Sequence, residues 1–224
     1  MVALLPAHHP YNGSWQQEAA GADRLTVQSG GLGVTLSQAD TQQVAVVMNG
    51  SYTGHLPQVS VTRSGTEIVV TAGCSGDCSE HLQITVPTGL AAQVSAGDAA
   101  IEAKGLTGRL ELTTGSAAIE VDRASGPLTL RSTAGAVSVT DSSSPTVEVA
   151  TTDGAVTASF TAAPTSVKIT TNDGGVEVKV PHEAAYHVDA QSSDSTPSVS
   201  LPNTDQNATH NLSVKTRSGG ILVH

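Results

Sequence analysis

One motif recurs along this chain at a fixed internal spacing, and it limits the possible folds more than any other feature. Two hydrophobic-x-hydrophobic triplets are set so that the end of the first lies seven residues before the start of the second. Leu110-x-Leu112 precedes Ile119-x-Val121, and Leu128-x-Leu130 precedes Val137-x-Val139. Val147-x-Val149 precedes Val156-x-Ala158, and Val167-x-Ile169 precedes Val176-x-Val178. Ala92-x-Val94 with Ile101-x-Ala103, and Leu212-x-Val214 with Ile221-x-Val223, obey the same step. Val27 lies seven before Val34, which marks an early unit at residues 25–36. Tyr186-x-Val188 leads to Val199-x-Leu201 with a step of eleven, so that hinge carries four extra residues.

In an extended triplet the outer side chains face one way and the middle one faces the other. One such unit buries too little to stand alone, whereas stacked equivalents bury a continuous core. Units that advance by 18, 18, 19, 20, 23 and 22 residues predict strands in parallel register. The fold class is therefore all-β: a single-stranded parallel β-solenoid of about seven coils of 18–23 residues. A sandwich of short antiparallel hairpins is the competing arrangement, and the near-constant coil length argues against it. Gly97, Gly115, Gly135, Gly154, Gly174 and Gly219 fall in the hinges and are expected to turn corners through positive φ.

Outside the repeat, residues 1–22 lack periodicity and read as an irregular lead-in. Residues 23–87 hold the early unit and longer strands, "VAVVMNG", "VSVTRSGTEIVVTA" and "LQITVP", with a turn at Ser64-Gly65. This antiparallel region is expected to cap the first edge of the stack, where open strands would invite aggregation. Residues 88–224 carry the coils and continue the same domain. The C-terminal unit ends at Val223-His224 with no cap in sequence, so it reads as an exposed end or an interface.

Composition supports strands and excludes some partners. Aromatic residues are 2% and charged residues 13%, with a net charge of −10. The core must be aliphatic and rich in β-branched residues, which favours strands. Nucleic acid requires a basic face, and the ten Lys and Arg are scattered. No stretch approaches the ~18 apolar residues of a membrane span. Val2 to Leu5 is apolar but too short for a signal peptide, so membrane attachment would require an N-terminal anchor beyond this chain.

Successive G-x-V-x-V coils, preceded by a strand pair and a "C…C…VP-x-G" segment, resemble the bacterial putative-adhesin β-solenoid domain. The residues that carry the likeness are "VSVTRSGTEIVVTAGCSGDC", then "LQITVPTGL", then the coils, over roughly residues 20–224. The resemblance implies an exported or membrane-anchored envelope protein, in some members linked to envelope stress. It implies no catalytic residue.

Candidate sites are sparse. Cys74 and Cys78 frame "CSGDC", and an exported chain with two cysteines is expected to pair them. Free thiols are an alternative, as is a metal site of Cys74, Cys78 and His81, for which no clear fourth ligand appears. "HEAAYH" at 182–187 has its histidines five apart rather than four and follows a proline, so it does not make a zincin helix. Hinge acids Asp98, Asp153, Asp173 and Asp194 are too thinly spread for an oxygen shell around calcium. The sequons at Asn12, Asn49, Asn207 and Asn211 fit chance in so Ser- and Thr-rich a chain. The middle residues of the second triplets, Glu102, Glu120, Ser138, Thr157, Glu177, Ser200 and Leu222, are expected to form one outward column. Within it, Glu102, Glu120 and Glu177 are the candidate binding residues. The first-triplet column reads Gln93, Glu111, Thr129, Glu148, Lys168, His187 and Ser213.

No catalytic constellation, cofactor site or metal site is assigned. The functional expectation is a non-enzymatic, cell-surface or extracellular binding, scaffold or stress protein whose partner is envelope polysaccharide or protein. A carbohydrate-active β-helix such as a polysaccharide lyase is the first alternative, with Lys104, Arg109, Arg123 and Arg131 as its only basic cluster. Self-assembly through the C-terminal strand is the second.

Overall fold

The computed structural model describes residues 8–53, 55–75 and 78–224, and the apolar run at Val2 to Leu5 lies outside them. Every regular element among the described residues is a strand, and no helix is long and apolar enough to cross a membrane.

The regular coils form as the spacing predicts. They comprise β8 (Ala91–Ser95) with β9 (Ile101–Lys104), β10 (Leu110–Thr114) with β11 (Ile119–Asp122), and β12 (Leu128–Ser132) with β13 (Val137–Ser142). β14 (Thr146–Thr151) with β15 (Val156–Phe160), and β16 (Ser166–Asp173) with β17 (Val176–Lys179), continue the stack. The first strand of each pair joins one sheet and the second joins the other, and neighbouring coils are parallel. Leu110, Leu112, Ile119 and Val121 are buried, as are their equivalents in every regular coil, and they meet between the two sheets.

The N-terminal region is β1 (His9–Glu18), β2 (Arg24–Gln28), β3 (Gly33–Ala39), β4 (Gln43–Tyr52), β5 (Gln58–Ser64), β6 (Glu67–Gly73) and β7 (Cys78–Pro87). Within the expected irregular lead-in, His9–Glu18 form a ten-residue strand, antiparallel to β4 from His9↔Tyr52 to Glu18↔Gln43. Its inner row is Tyr11, Gly13, Trp15 and Gln17, which alternates without being aliphatic. The hairpin through Ser64-Gly65 forms as expected, with β5 antiparallel to β6. β6 and β7 also run parallel to β2 and β3, so these two strands supply a further coil. The antiparallel caps are β4 with β1 on one sheet and β5 on the other.

The C-terminal strands are β18 (Tyr186–Ser192), β19 (Ser198–Val199), β20 (His210–Ser218) and β21 (Ile221–Val223). The eleven-stranded sheet runs β1-β4-β7-β3-β9-β11-β13-β15-β17-β21-β19. The ten-stranded sheet runs β18-β20-β16-β14-β12-β10-β8-β2-β6-β5. Spatial order therefore departs from chain order at both ends. The β2–β3 coil lies inside the β6–β7 coil, and the β20–β21 coil lies inside the β18–β19 coil.

This arrangement overturns the expected bare C-terminal strand. β20 pairs with both β16 and β18, and β21 pairs with both β17 and β19. The last unit, with its regular seven-residue step, stands beside the regular β16–β17 coil, and the unit with the enlarged hinge stands at the end of the stack. That unit is also displaced by two residues from the expected alignment. Val188 and Ala190 stand beside Leu212 and Val214, and Val199 stands beside Val223. His187 and Ser200 thus leave the predicted columns, and Asp189 and Ser198 replace them.

The hinge glycines have another cause than the one expected. Gly97 and Gly219 do adopt positive φ, but Gly115, Gly135, Gly154 and Gly174 do not. Successive hinges stack so closely that a Cβ on Gly135 would run into the carbonyl oxygen of Ala117, and one on Gly154 into that of Gly135.

A ladder of buried hydroxyls lies beside them. Thr114, Ser132, Thr151, Thr171 and Thr216 each follow the first triplet by two residues, and all are buried. Thr114 Oγ1 donates to the carbonyls of Gly97 (3.0 Å) and Ala99 (2.8 Å) in the preceding hinge. Thr171 and Thr216 lie against the equivalent carbonyls of Gly154 and Gly174. These hydroxyls add to backbone hydrogen bonds that already join successive hinges, such as those from Thr133 and Asp153 N–H to the Gly115 and Thr133 carbonyls at 2.8 Å each.

Candidate functional site

The outward face of the eleven-stranded sheet carries the predicted acidic column only in part. Glu102 stands beside Glu120 across β9 and β11, and the column continues through Ser138 and Thr157 to Glu177 and Leu222. Three coil steps separate Glu120 from Glu177, about 14 Å at the spacing of adjacent strands. The three glutamates therefore do not form one site.

Glu102 belongs to a different group of side chains. Its Oε1 pairs with Lys104 Nζ at 2.6 Å, and its Oε2 accepts from the Thr35 hydroxyl at 3.1 Å. Thr35 Oγ1 lies 2.7 Å from His81 Nε2. The Thr35 hydroxyl thus bridges Glu102 and His81. The hydrogen bond from Lys104 comes first among the causes that hold the Glu102 carboxyl below its ordinary value, with Thr35 assisting against partial burial. Glu120, Asp122, Ser138 and Thr140 complete a shallow depression of 280 Å³ beside this group. Glu177 lies 3.2 Å from the imidazole of His224 on the far side of the column.

The proposed basic cluster does not converge. Lys104 is held by Glu102, and Arg123 pairs with Asp122 at 2.8 Å. Arg131 lies on β12 of the other sheet from Lys104.

The larger concavity is at the capped end, where β1 closes one sheet and β5 the other. A groove of 720 Å³ runs between them, lined by Tyr11, Trp15, Leu56, Val59 and Cys74 among others. Leu56 is 62% exposed at its rim. The groove contains the only tryptophan of the chain. Reading residues 1–22 as irregular hid it, although Tyr11 and Trp15 share one face of any strand drawn through them.

Cys74 and Cys78 form a disulfide, as expected, with Cα atoms 6.3 Å apart. His81, the third residue of the alternative metal site, faces outward to Thr35. Glu80 faces inward instead, in the same row of β7 as Leu82 and Ile84. It is 6% exposed, and neither carboxylate oxygen has a partner among the described residues. Burial pushes its carboxyl above the ordinary value. Sequence reading passed over Glu80 because it lies outside the repeat. Its place two residues before Leu82 in an alternating strand was the available signal.

Two interleaved sheets of parallel β coils, closed at one end by antiparallel strands, define the class as a capped β-solenoid. Residues 22–224 match the model of the Toastrack DUF4097 family, and the chain belongs to that family. No curated protein matches it. Among solved structures, it is similar to a putative cell adhesion protein from Clostridium sporogenes, at 12% identity and a TM-score of 0.45 over 96% of this chain and 99% of that one. A putative adhesin from Bacteroides fragilis is similar at 12% identity and a TM-score of 0.40, over 96% and 97% of the two chains. A putative adhesin from Parabacteroides merdae is similar at 12% identity and a TM-score of 0.30, over 95% of each chain.

Proposed function

We propose that this chain is a non-enzymatic binding or scaffold protein of the bacterial cell surface, whose partner is envelope polysaccharide or protein. The observation that carries the reading is how the outward groups are used. Glu102, Lys104, Thr35 and His81 engage one another along an open face, and Lys168–Glu148 and Lys215–Asp189 do the same on the other sheet at 3.4 Å each. Catalysis needs groups that converge on a substrate within a water-excluding site, whereas display needs a rigid face with varied side chains. The disulfide supports an oxidising compartment.

The test has two arms. Surface labelling and protease shaving of intact producing cells are expected to reach the protein, and detection only after lysis would refute the location. Purified protein is expected to bind isolated envelope polysaccharide or surface protein, with Glu102→Gln and Glu120→Gln weakening that binding. Turnover of polysaccharide into unsaturated or shortened products would reverse the assignment in favour of an enzyme.

A further inference from the structure

We infer that Cys74, Cys78 and Glu80 form a zinc site that opens when the disulfide is reduced. The two sulfurs and a Glu80 carboxylate oxygen all lie within 4.8 Å of one another. A tetrahedral zinc with two thiolates and one carboxylate requires ligand separations of about 3.5–3.8 Å, given its usual bond lengths. Parting the bonded sulfurs and drawing in the carboxylate are both side-chain movements. The Cys-x3-Cys spacing is also that of zinc-binding turns.

The second observation is the carboxylate itself. An unpartnered carboxylate is costly away from water, and such groups are ordinarily paired or bound to metal. Among the described residues Glu80 has neither hydrogen-bond partner nor counter-charge, yet the fold makes room for it. Gly50 lies opposite it on β4, where a Cβ would strike the Ser79 carbonyl oxygen first and then Glu80 Cα and Cγ. A glycine there serves both the close approach of the two strands and the inward glutamate beside the sulfurs. Cys74 also lines the groove of Tyr11 and Trp15, which gives the site an opening. Water from that opening would supply the fourth ligand, as in zinc sites with three protein ligands.

The chemistry balances with an external dithiol as reductant. Its thiolate attacks one sulfur of the pair and the Cys74–Cys78 bond breaks. Its second thiol then displaces the mixed disulfide. Two electrons and two protons pass to the protein, which leaves two cysteine thiols and one oxidised reductant. Zinc binding then releases both thiol protons, together with the Glu80 proton where the carboxyl is neutral. Paired thiolates favour zinc over calcium or magnesium.

The test uses the whole chain, reduced with a phosphine, freed of metal and kept anaerobic. Cobalt(II) is the probe, followed by zinc competition. The expected result is one cobalt per chain, with a thiolate-to-cobalt charge-transfer band and the intense visible bands of tetrahedral geometry. The oxidised protein is expected to show none of these. Glu80→Gln is expected to weaken metal binding about 10–100-fold and to change the visible bands. Cys74→Ser is expected to abolish the charge-transfer signature of the pair. Circular dichroism follows the sheets throughout. Reduced protein that keeps its sheets but binds no cobalt overturns the inference, as does Glu80→Gln binding with unchanged affinity and spectrum. Loss of the sheets on reduction also overturns it, because the site would then have no frame.

Discussion

Thr114 and Thr151 occupy equivalent rungs of the hydroxyl ladder, yet they should respond in opposite directions to the same substitution. Both are buried, at 3% and 8% exposure. The Thr114 hydroxyl reaches two hinge carbonyls, whereas Thr151 Oγ1 has no partner among the described residues. Valine retains the branched shape and suits a strand, so each change removes little besides the hydroxyl. At position 114 the lost hydrogen bond is worth about 1 kcal/mol. At position 151 the hydroxyl is desolvated without return, a penalty of about 1–3 kcal/mol that valine removes. For a chain of this length 1 kcal/mol shifts Tm by roughly 2–4 °C. Thr114→Val should therefore lower Tm by roughly 2–4 °C, and Thr151→Val should raise it by at least a similar amount. Urea unfolding should show the same opposed shifts in midpoint at unchanged slope. Equal destabilisation by the two variants would refute the reasoning, since the ladder would then be held by something other than its hydrogen bonds.

Gly154→Ala should cost about 1–3 kcal/mol, as overpacking does, because its Cβ meets the Gly135 carbonyl, whereas Gly220→Ala enters open space and should change little; urea midpoints distinguish them. Glu80 gives a pH signature of definite sign. Its folded carboxyl is raised from 4.5, so its contribution to stability is fully present below that value and is lost as pH rises through the raised one. The stability of Glu80→Gln relative to the parent should therefore increase with pH across that window, and a flat difference would show that the carboxyl is not desolvated. Tyr186→Phe removes the 2.8 Å bond from the buried hydroxyl to the Pro181 carbonyl and should cost about 1 kcal/mol in urea unfolding.

The regular coils were legible because their physics is local. Alternation sets which residues of Leu110–Leu112 and Ile119–Val121 face inward, and the seven-residue step sets the distance between sheets. The hydroxyl ladder was equally local, since Thr114, Ser132, Thr151, Thr171 and Thr216 keep one offset from their triplets. It was obscured by the abundance of Ser and Thr elsewhere. Coil order was not legible, because insertion of β20–β21 beside β16–β17 depends on which edges remain open in three dimensions. For the candidate site, alternation placed Glu102 and Glu120 outward and adjacent, but not the contacts from Thr35 and Lys104. Thr35 comes from an early unit that returns beside β9. The inward turn of Glu80 was hidden by a neighbourhood that reads as polar.

The interleaving at the two ends bears on how the molecule is made. A stack laid down in chain order could be finished coil by coil as residues emerge. Here the residues from His210 onward follow β18 and β19 in the chain yet occupy a slot inside them, so the β18–β19 coil must wait for them or be displaced to admit them. A chain cut before His210 would leave both faces of that slot without a partner. The last coil thus acts as a keystone, and assembly of that end becomes a single late event in place of gradual growth.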